Sequence, residues 1–210
     1  ALAARKAVKD FKLSRVMIVD YDVHHGNGTQ DIFNSDPSVL YFSTHQYPHY
    51  PGTGSIYETG EGEAKGTKIN VPLPAFCGDR EYLQIFKEIL VPAAKRYQPE
   101  LILVSAGYDA HWMDMLAQMQ LTVSGYRQMA VILKELASEL CQGRLLFVLE
   151  GGYALPALAA SVQATFEVLL GKPQSKDHLG PPPERRKPQG FDDLLSEIKR
   201  TIGNLHGVGS

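Results

Sequence analysis

Residues 19–29, VDYDVHHGNGT, place two aspartates, two adjacent histidines and two glycines directly after an apolar run. In an extended strand, residues two apart point to the same side, so Asp20, Asp22 and His24 are expected to project together where the run ends. Carboxylates and imidazoles bind divalent cations such as zinc, and glycines let the backbone approach a ligand closely. The stretch therefore predicts a cation site, with a solvated polar turn as the alternative.

Two more apolar runs end in side chains with useful chemistry. LILVSAGYDAH (101–111) places Asp109 just past its apolar part, and LLFVLEGGY (145–153) ends in Tyr153 behind two glycines. Each feature by itself is also typical of a helix cap or a turn. Because open parallel sheets bind ligands at the carboxyl ends of their strands, the combination favours one site. Its members are Asp22, His24, Asp109 and Tyr153.

The composition of this set indicates hydrolysis of an amide. Three protein ligands leave a zinc ion with open positions for water and a substrate carbonyl. The metal activates the water and polarises the carbonyl. A tyrosine hydroxyl beside the carbonyl donates a hydrogen bond to the oxyanion that forms in the transition state.

Composition narrows the class of protein. The chain has 210 residues, 44% of them hydrophobic, and a net charge of −2, which suits one globular domain with a sizeable core. The near balance of 21 basic and 23 acidic residues gives no general attraction to nucleic acid or to anionic membranes. No apolar run reaches the roughly 20 residues that span a bilayer. Two cysteines, Cys77 and Cys141, stand outside any CxxC spacing, so a reducing compartment and a cytoplasmic location are expected.

Strands alternate with helices along the chain, which predicts an α/β fold with a mostly parallel sheet flanked by helices. The expected strands are apolar runs without alternation, typical of buried parallel strands; they cover 15–20, 39–44, 67–72, 101–107 and 144–152. The expected helices carry apolar stripes at helical spacing. The first ends near residue 11, and the others cover 80–97, 123–140 and 155–170. Residues 172–190, rich in proline and charge, are expected to form a strap or linker. Residues 191–210 are expected to form a last amphipathic helix and a tail.

Five sequence blocks resemble those of the zinc-dependent histone deacetylase superfamily, which includes bacterial acetylpolyamine amidohydrolases and acetoin-utilisation proteins. The blocks are VDYDVHHGNGTQDIF, HQYPHYPGTG, INVPL, SAGYDAH and LEGGY, in the family's order. They cover residues 1–171 as part of a catalytic domain, and LEGGY with Asn27 is similar to the class II-like bacterial branch. The resemblance implies the three-layer arginase/deacetylase fold and one zinc ion held by Asp22, His24 and Asp109. It also implies that Tyr153 is the catalytic tyrosine.

The resemblance implies two structural potassium ions as well. One lies beside the zinc, bound partly through backbone carbonyls, at Asp20, Asp22, His24, Ser43 and Thr44. The other is peripheral and involves Phe33, Asp36, Val39 and Thr67. Tyr50 stands where the family commonly has a phenylalanine in the wall of the acyl-lysine tunnel, and Gly151 and Gly152 are expected in the same tunnel.

One feature of the family has no counterpart in the chain. The general base and its partner are two tandem histidines upstream of these blocks, oriented in family members by the residues at Asp20 and Asn27. His24 and His25 belong to the metal block, and no other His-His pair occurs. The chain is therefore expected to be the C-terminal part of a deacetylase domain with its N-terminal part missing. Such a chain is expected to be a poor catalyst, to expose core surface and to associate into a homo-oligomer.

The expected substrate is an acetylated lysine peptide or an acetylpolyamine, with no direct contact to nucleic acid or membrane. Two alternatives remain open at this stage. One is a binuclear manganese hydrolase of the arginase type, which needs additional aspartates to bridge its metals. The other is an acyl-binding or partner-binding module of the same fold that has lost catalysis.

Overall fold

The computed structural model describes residues 1–205, and a five-stranded parallel sheet forms its centre. The strands are β1 (Val16–Asp20), β2 (Val39–Gln46), β3 (Lys68–Leu73), β4 (Leu101–Ala106) and β5 (Leu145–Leu149). They lie in the order β3-β2-β1-β4-β5. All five strands predicted from the sequence are thus confirmed, and β1 and β4, which precede the proposed ligands, are adjacent.

Helices connect the strands. They are α1 (Leu2–Lys9), α2 (Asn27–Ile32), α3 (Asp79–Ile85), α4 (Val91–Tyr97), α5 (Val123–Cys141), α6 (Leu155–Leu169) and α7 (Phe191–Leu205). A short 3₁₀ turn covers Gly62–Ala64. The sequence did not predict α2, because six residues are too few to show an apolar stripe. Along the described part of the chain, no helix has both the length and the apolar character needed to cross a membrane.

The helix predicted over 80–97 contains a π-helical turn at Phe86–Leu90, between α3 and α4. At its end the amide of Val91 donates to the carbonyl of Phe86, five residues back. Pro92 follows, and proline has no amide hydrogen and clashes with the carbonyl four residues before it. A wider turn just before Pro92 accommodates this clash without ending the helix.

Alternate residues of β1 point into two apolar layers, one on each face of the sheet. Met17 and Val19 belong to the larger layer, which includes residues of α3, α4, α5 and α7. Val16 and Ile18 pack in the smaller one, against Ala4 and other residues on the α1 side. The sheet is therefore covered on both faces, as expected of parallel strands.

Residues 172–190 contain no helix or strand and run across the domain surface. The indole of Trp112 donates to the carbonyl of Gly180 at 2.9 Å, and Gln120 exchanges two hydrogen bonds with the backbone of Arg186. Helix α7 then buries Phe191 and Ile198 in the larger apolar layer. The strap is thus bonded to the domain at these points, and also where Ser175 donates to Glu167. Helix α7 docks on the domain, while the predicted tail, 206–210, lies outside the described residues.

Strand β5 leaves an apolar edge exposed. Within residues 1–205 it pairs with β4 alone, and Leu146, Val148 and Leu149 are 49%, 45% and 60% exposed. Beside it, Phe166 of α6 is also exposed and lines an apolar cavity of about 390 Å³. A long apolar edge strand offers its free backbone groups to another chain.

We expect two copies of this chain to associate through β5. Replacing Val148 by lysine is expected to shift the chain toward monomer in sedimentation velocity, because a buried ammonium at a paired edge is unfavourable. Leu2→Lys is the control, since Leu2 is 87% exposed on α1, on another part of the domain. Equal association of the parent and the Val148→Lys chain would contradict the expectation.

Candidate metal centre

Asp22, His24 and Asp109 meet at the carboxyl ends of β1 and β4. Asp22 and His24 follow the last residue of β1, and Asp109 follows β4 after two intervening residues. One ligand atom from each of the three side chains lies within 4.8 Å of the other two. The structure therefore brings together the three residues that the sequence proposed as metal ligands, which we call the triad.

Backbone amides donate hydrogen bonds to both triad carboxylates. The amide of Val23 donates to Oδ1 of Asp109 at 2.9 Å, and the amide of Gly151 donates to Oδ2 of Asp22 at 2.8 Å. Oδ2 of Asp109 is buried and accepts no hydrogen bond, although it lies 3.1 Å from Nδ1 of His24. A buried carboxylate oxygen without a donor is rare, and this one points at the other ligands, so the triad fits a divalent cation.

Electrostatics of the triad also favour a cation. The contacts with Asp109 and Asp22 raise the pKa of His24 to about 10, so without metal the imidazole carries a proton at neutral pH. Burial raises the pKa of Asp109. Burial also raises the pKa of Asp22, but hydrogen bonds from His24 and Gly151 outweigh it and the pKa is lowered. A proton on His24 thus provides the positive charge that a metal ion would supply.

We expect zinc binding to release this proton, since a metal binds only neutral imidazole. Between about pH 6 and pH 9, below the raised pKa of His24, affinity is expected to rise about tenfold per pH unit. Isothermal titration calorimetry in buffers of different ionisation enthalpy measures the number of protons released. An affinity that stays constant over this range would show that zinc displaces no proton from His24.

Two glycines allow the backbone to close around the triad. A Cβ at Gly107 would lie 2.3 Å from Oδ2 of Asp22, and a Cβ at Gly151 would lie 2.3 Å from Oδ2 of Asp109. Both positions exclude a larger residue, because no real Cβ tolerates such contacts. Gly152 is required for a different reason, since its φ of +145° is one that other residues rarely adopt.

Tyr153 lies on the rim of the site, with 59% of its surface exposed. Its backbone amide and that of Ala154 donate to Oδ2 of Asp114, at 2.7 and 3.1 Å. Burial, followed by the charges of Asp109 and Asp22, raises the pKa of the Tyr153 phenol, so the hydroxyl keeps its proton at neutral pH. The hydrogen bonds from the Tyr153 segment to Asp114, 39 residues away, have no local signal in the sequence.

Two aromatic residues from the loop after β2 stand beside His24. The Tyr50 ring is 6.1 Å from the His24 ring between centroids, and the His49 ring is 5.3 Å away. His49 is fixed by donating from Nε2 to the carbonyl of Leu116 at 2.8 Å. Tyr50 is 75% exposed, so it borders the approach to the triad.

Three of the residues proposed for a potassium ion next to the triad, Asp20, Ser43 and Thr44, carry side-chain oxygen atoms. Asp20 is paired with Ser43 across β1 and β2, and it is buried, accepting from the Tyr41 hydroxyl at 2.9 Å. The buried hydroxyl of Thr44 has no hydrogen-bond partner. These oxygens suit a hard monovalent cation. Asn27 is exposed at the start of α2.

The peripheral residues do not fit a second potassium ion. Nζ of Lys68 donates to the carbonyl of Val39 at 2.9 Å and to the Thr67 hydroxyl at 2.6 Å, and lies 3.5 Å from the carbonyl of Asp36. An ammonium group thus stands among the residues assigned to the ion. The family resemblance predicted an ion here because it concerns the oxygen ligands. It takes no account of Lys68, the residue after Thr67.

Comparisons with known proteins find a matching family. Residues 1–169 match the histone deacetylase domain family. "Histone deacetylase 14, chloroplastic" from Arabidopsis thaliana is 51% identical over 172 residues, which are 82% of this chain and 41% of that protein. A "Probable deacetylase" from Archaeoglobus fulgidus is 45% identical over 141 residues, 67% of this chain and 39% of that protein. The chain thus spans about two fifths of the length of these relatives.

Solved structures show the same similarity. The structure of the histone deacetylase Clr3 superposes with a TM-score of 0.86 and 33% identity, over 97% of this chain and 34% of that one. The crystal structure of the HDA15 HD domain gives a TM-score of 0.84 and 34% identity, over 98% of this chain and 56% of that one.

Proposed function

Because the chain belongs to the histone deacetylase domain family, we propose that it is part of a zinc-dependent amidohydrolase that removes acetyl groups from lysine side chains or polyamines. The observation that carries the proposal is the triad, with its ligand atoms within 4.8 Å of one another and Oδ2 of Asp109 lying 3.1 Å from Nδ1 of His24. Zinc bound there would activate water and polarise the acetyl carbonyl.

Each residue of the site has a part in this proposal. Asp22, His24 and Asp109 hold the metal, and amides of the neighbouring strand ends fix the two carboxylates. The protonated phenol of Tyr153 donates to the carbonyl oxygen as negative charge develops there. Asp114 holds the backbone of Tyr153 in place. A potassium ion beside Asp20 would offset the negative charge of the Asp20 and Asp22 carboxylates.

Two of the described histidines, His25 and His45, are poorly suited to act as the general base. Both ring nitrogens of His25 are in hydrogen bonds, to Thr53 and Gln30. Both ring nitrogens of His45 are likewise bonded, to Ser43 and Gly54. A base that must first give up its hydrogen bond is a weak one, and general bases contribute about 10²- to 10⁴-fold. We therefore propose that this chain alone turns over slowly, by about that factor.

The test is release of acetate from an acetyl-lysine peptide and from an acetylpolyamine by the zinc-loaded chain. Slow, zinc-dependent release is expected, and His49→Gln is expected to leave the residual rate unchanged. Loss of that rate in His49→Gln would place the base inside this chain. Tight peptide binding without any zinc-dependent release would favour the catalytically inactive acyl-binding module instead.

Counting metals separates the proposal from a binuclear manganese hydrolase. In residues 1–205, one group of three or more potential ligands is found, and it is the triad. One zinc ion per chain by elemental analysis is therefore expected, and two manganese ions would contradict the proposal. The cytoplasmic location stays a prediction, and association into a homo-oligomer stays a proposal that the Val148→Lys experiment tests.

A further inference from the structure

Lys68 is a fully buried lysine at the start of β3. Only 1% of the surface of Lys68 is exposed, and lysine is rarely buried unless it is paired. The acceptors of its ammonium group are neutral oxygens: the carbonyls of Val39 and Asp36 and the hydroxyl of Thr67, at 2.9, 3.5 and 2.6 Å. We call these three oxygens the carbonyl cage.

The cage lies where α2 turns into β2, and a second cation supports the same turn from outside. The guanidinium of Arg5 pairs with the Asp36 carboxylate and donates to the carbonyl of Ile32 at 2.7 Å. The Asp36 carboxylate also accepts from the amide and hydroxyl of Ser38. That carboxylate is therefore engaged elsewhere, and the Asp36 carbonyl faces Lys68.

Burial lowers the pKa of Lys68 to about 8, and the nearby charge of Asp36 opposes this shift. The group thus still carries its positive charge at neutral pH. A neutral amine would donate fewer hydrogen bonds to the cage, and water does not readily replace it at the carbonyl of Val39, a residue that is 0% exposed.

We propose that the Lys68 ammonium is the built-in monovalent cation of the carbonyl cage, so that this turn is held without a dissociable ion. Ammonium and potassium have the same charge and similar size, and backbone carbonyls can replace the hydration shell of potassium. Replacing the ammonium by a small side chain is then expected to convert the cage into a potassium site. The inference concerns the α2–β2 turn and does not depend on the proposed function.

The test compares thermal unfolding of the parent and Lys68→Ser at constant ionic strength, with KCl exchanged for choline chloride and the zinc concentration fixed. In choline chloride the variant is expected to lose roughly 2–12 °C in Tm, because the buried carbonyl of Val39 loses the ammonium as its donor. KCl is expected to restore most of that loss by binding to the folded state. The parent's response to KCl, which includes any ion beside Asp20, is the baseline.

Two variants show whether the response comes from the cage. Lys68→Met fills the space with an apolar side chain, so its Tm is expected to stay low in both salts. Lys134→Met removes an ammonium that donates to the carbonyls of Val168 and Leu169 at the end of α6. That site is only partly buried, so water replaces the ammonium and the KCl response is expected to match the parent's.

The inference is overturned if KCl stabilises Lys68→Ser no more than the parent, or if Lys68→Met responds as strongly as Lys68→Ser. A Lys68→Ser chain that recovers no folded protein in either salt overturns it too, because the cage would then not accept an ion. If the variant folds only in KCl, the inference is supported. Failure of acetate release affects none of these outcomes, so the two proposals are tested separately.

Discussion

Asp109→Asn is expected to lower zinc affinity by more than about 100-fold, since even residues that only orient a ligand contribute 10- to 100-fold. The amide has the size of the carboxylate but lacks its charge. Oδ2 of Asp109, buried and without a hydrogen-bond donor, is the atom whose loss matters. Competition with a chromophoric chelator measures the affinity, and the rise in Tm on adding zinc is expected to disappear.

Asp79→Asn is the matched control for this experiment. Asp79 is a partly buried carboxylate that accepts from the amide and the hydroxyl of Thr122, at 2.9 and 2.7 Å, before α5. Its substitution is expected to lower stability and to leave zinc affinity unchanged. If Asp109→Asn binds zinc as tightly as the Asp79→Asn chain, the triad is not the metal site.

Tyr153→Phe is expected to lower turnover of an acetyl-lysine peptide by about 10²- to 10³-fold, the usual effect of removing one oxyanion donor. Zinc affinity is expected to stay the same, because the phenol is not a ligand in this proposal. The decrease is expected in kcat, since the hydrogen bond strengthens as charge develops on the substrate oxygen. Steady-state kinetics of the zinc-loaded protein measure it.

Tyr50→Phe removes a hydroxyl from the same rim and is the control. Its ring stands 6.1 Å from that of His24, yet the proposal gives its hydroxyl no part in catalysis, so little change in kcat is expected. Equal losses in the two variants would indicate that both hydroxyls act through substrate binding. A Tyr153→Phe chain with unchanged kcat would remove the oxyanion role from Tyr153.

The sequence by itself predicts the fold class and the composition of the site. Apolar runs mark the five strands, and the three-layer arginase/deacetylase fold is confirmed by the similarity to solved deacetylase structures. Asp22 and His24 lie two positions apart just after one strand, and Asp109 follows another strand of the same parallel sheet. Because parallel strands end at one edge of the sheet, such local spacing is enough to bring the three together.

Only the tertiary structure decides which groups surround that site. Asp114 holds Tyr153 from 39 residues away, Gly151 donates to Asp22 from 129 residues away, and Lys68 reaches the carbonyl of Val39 across 29. These contacts depend on the path of loops and on which atoms are left without water, and neither has a periodic pattern in the chain. Spacing along a strand is a local property that the sequence carries, whereas the pairing of a buried donor with a distant acceptor is settled only when the chain has packed.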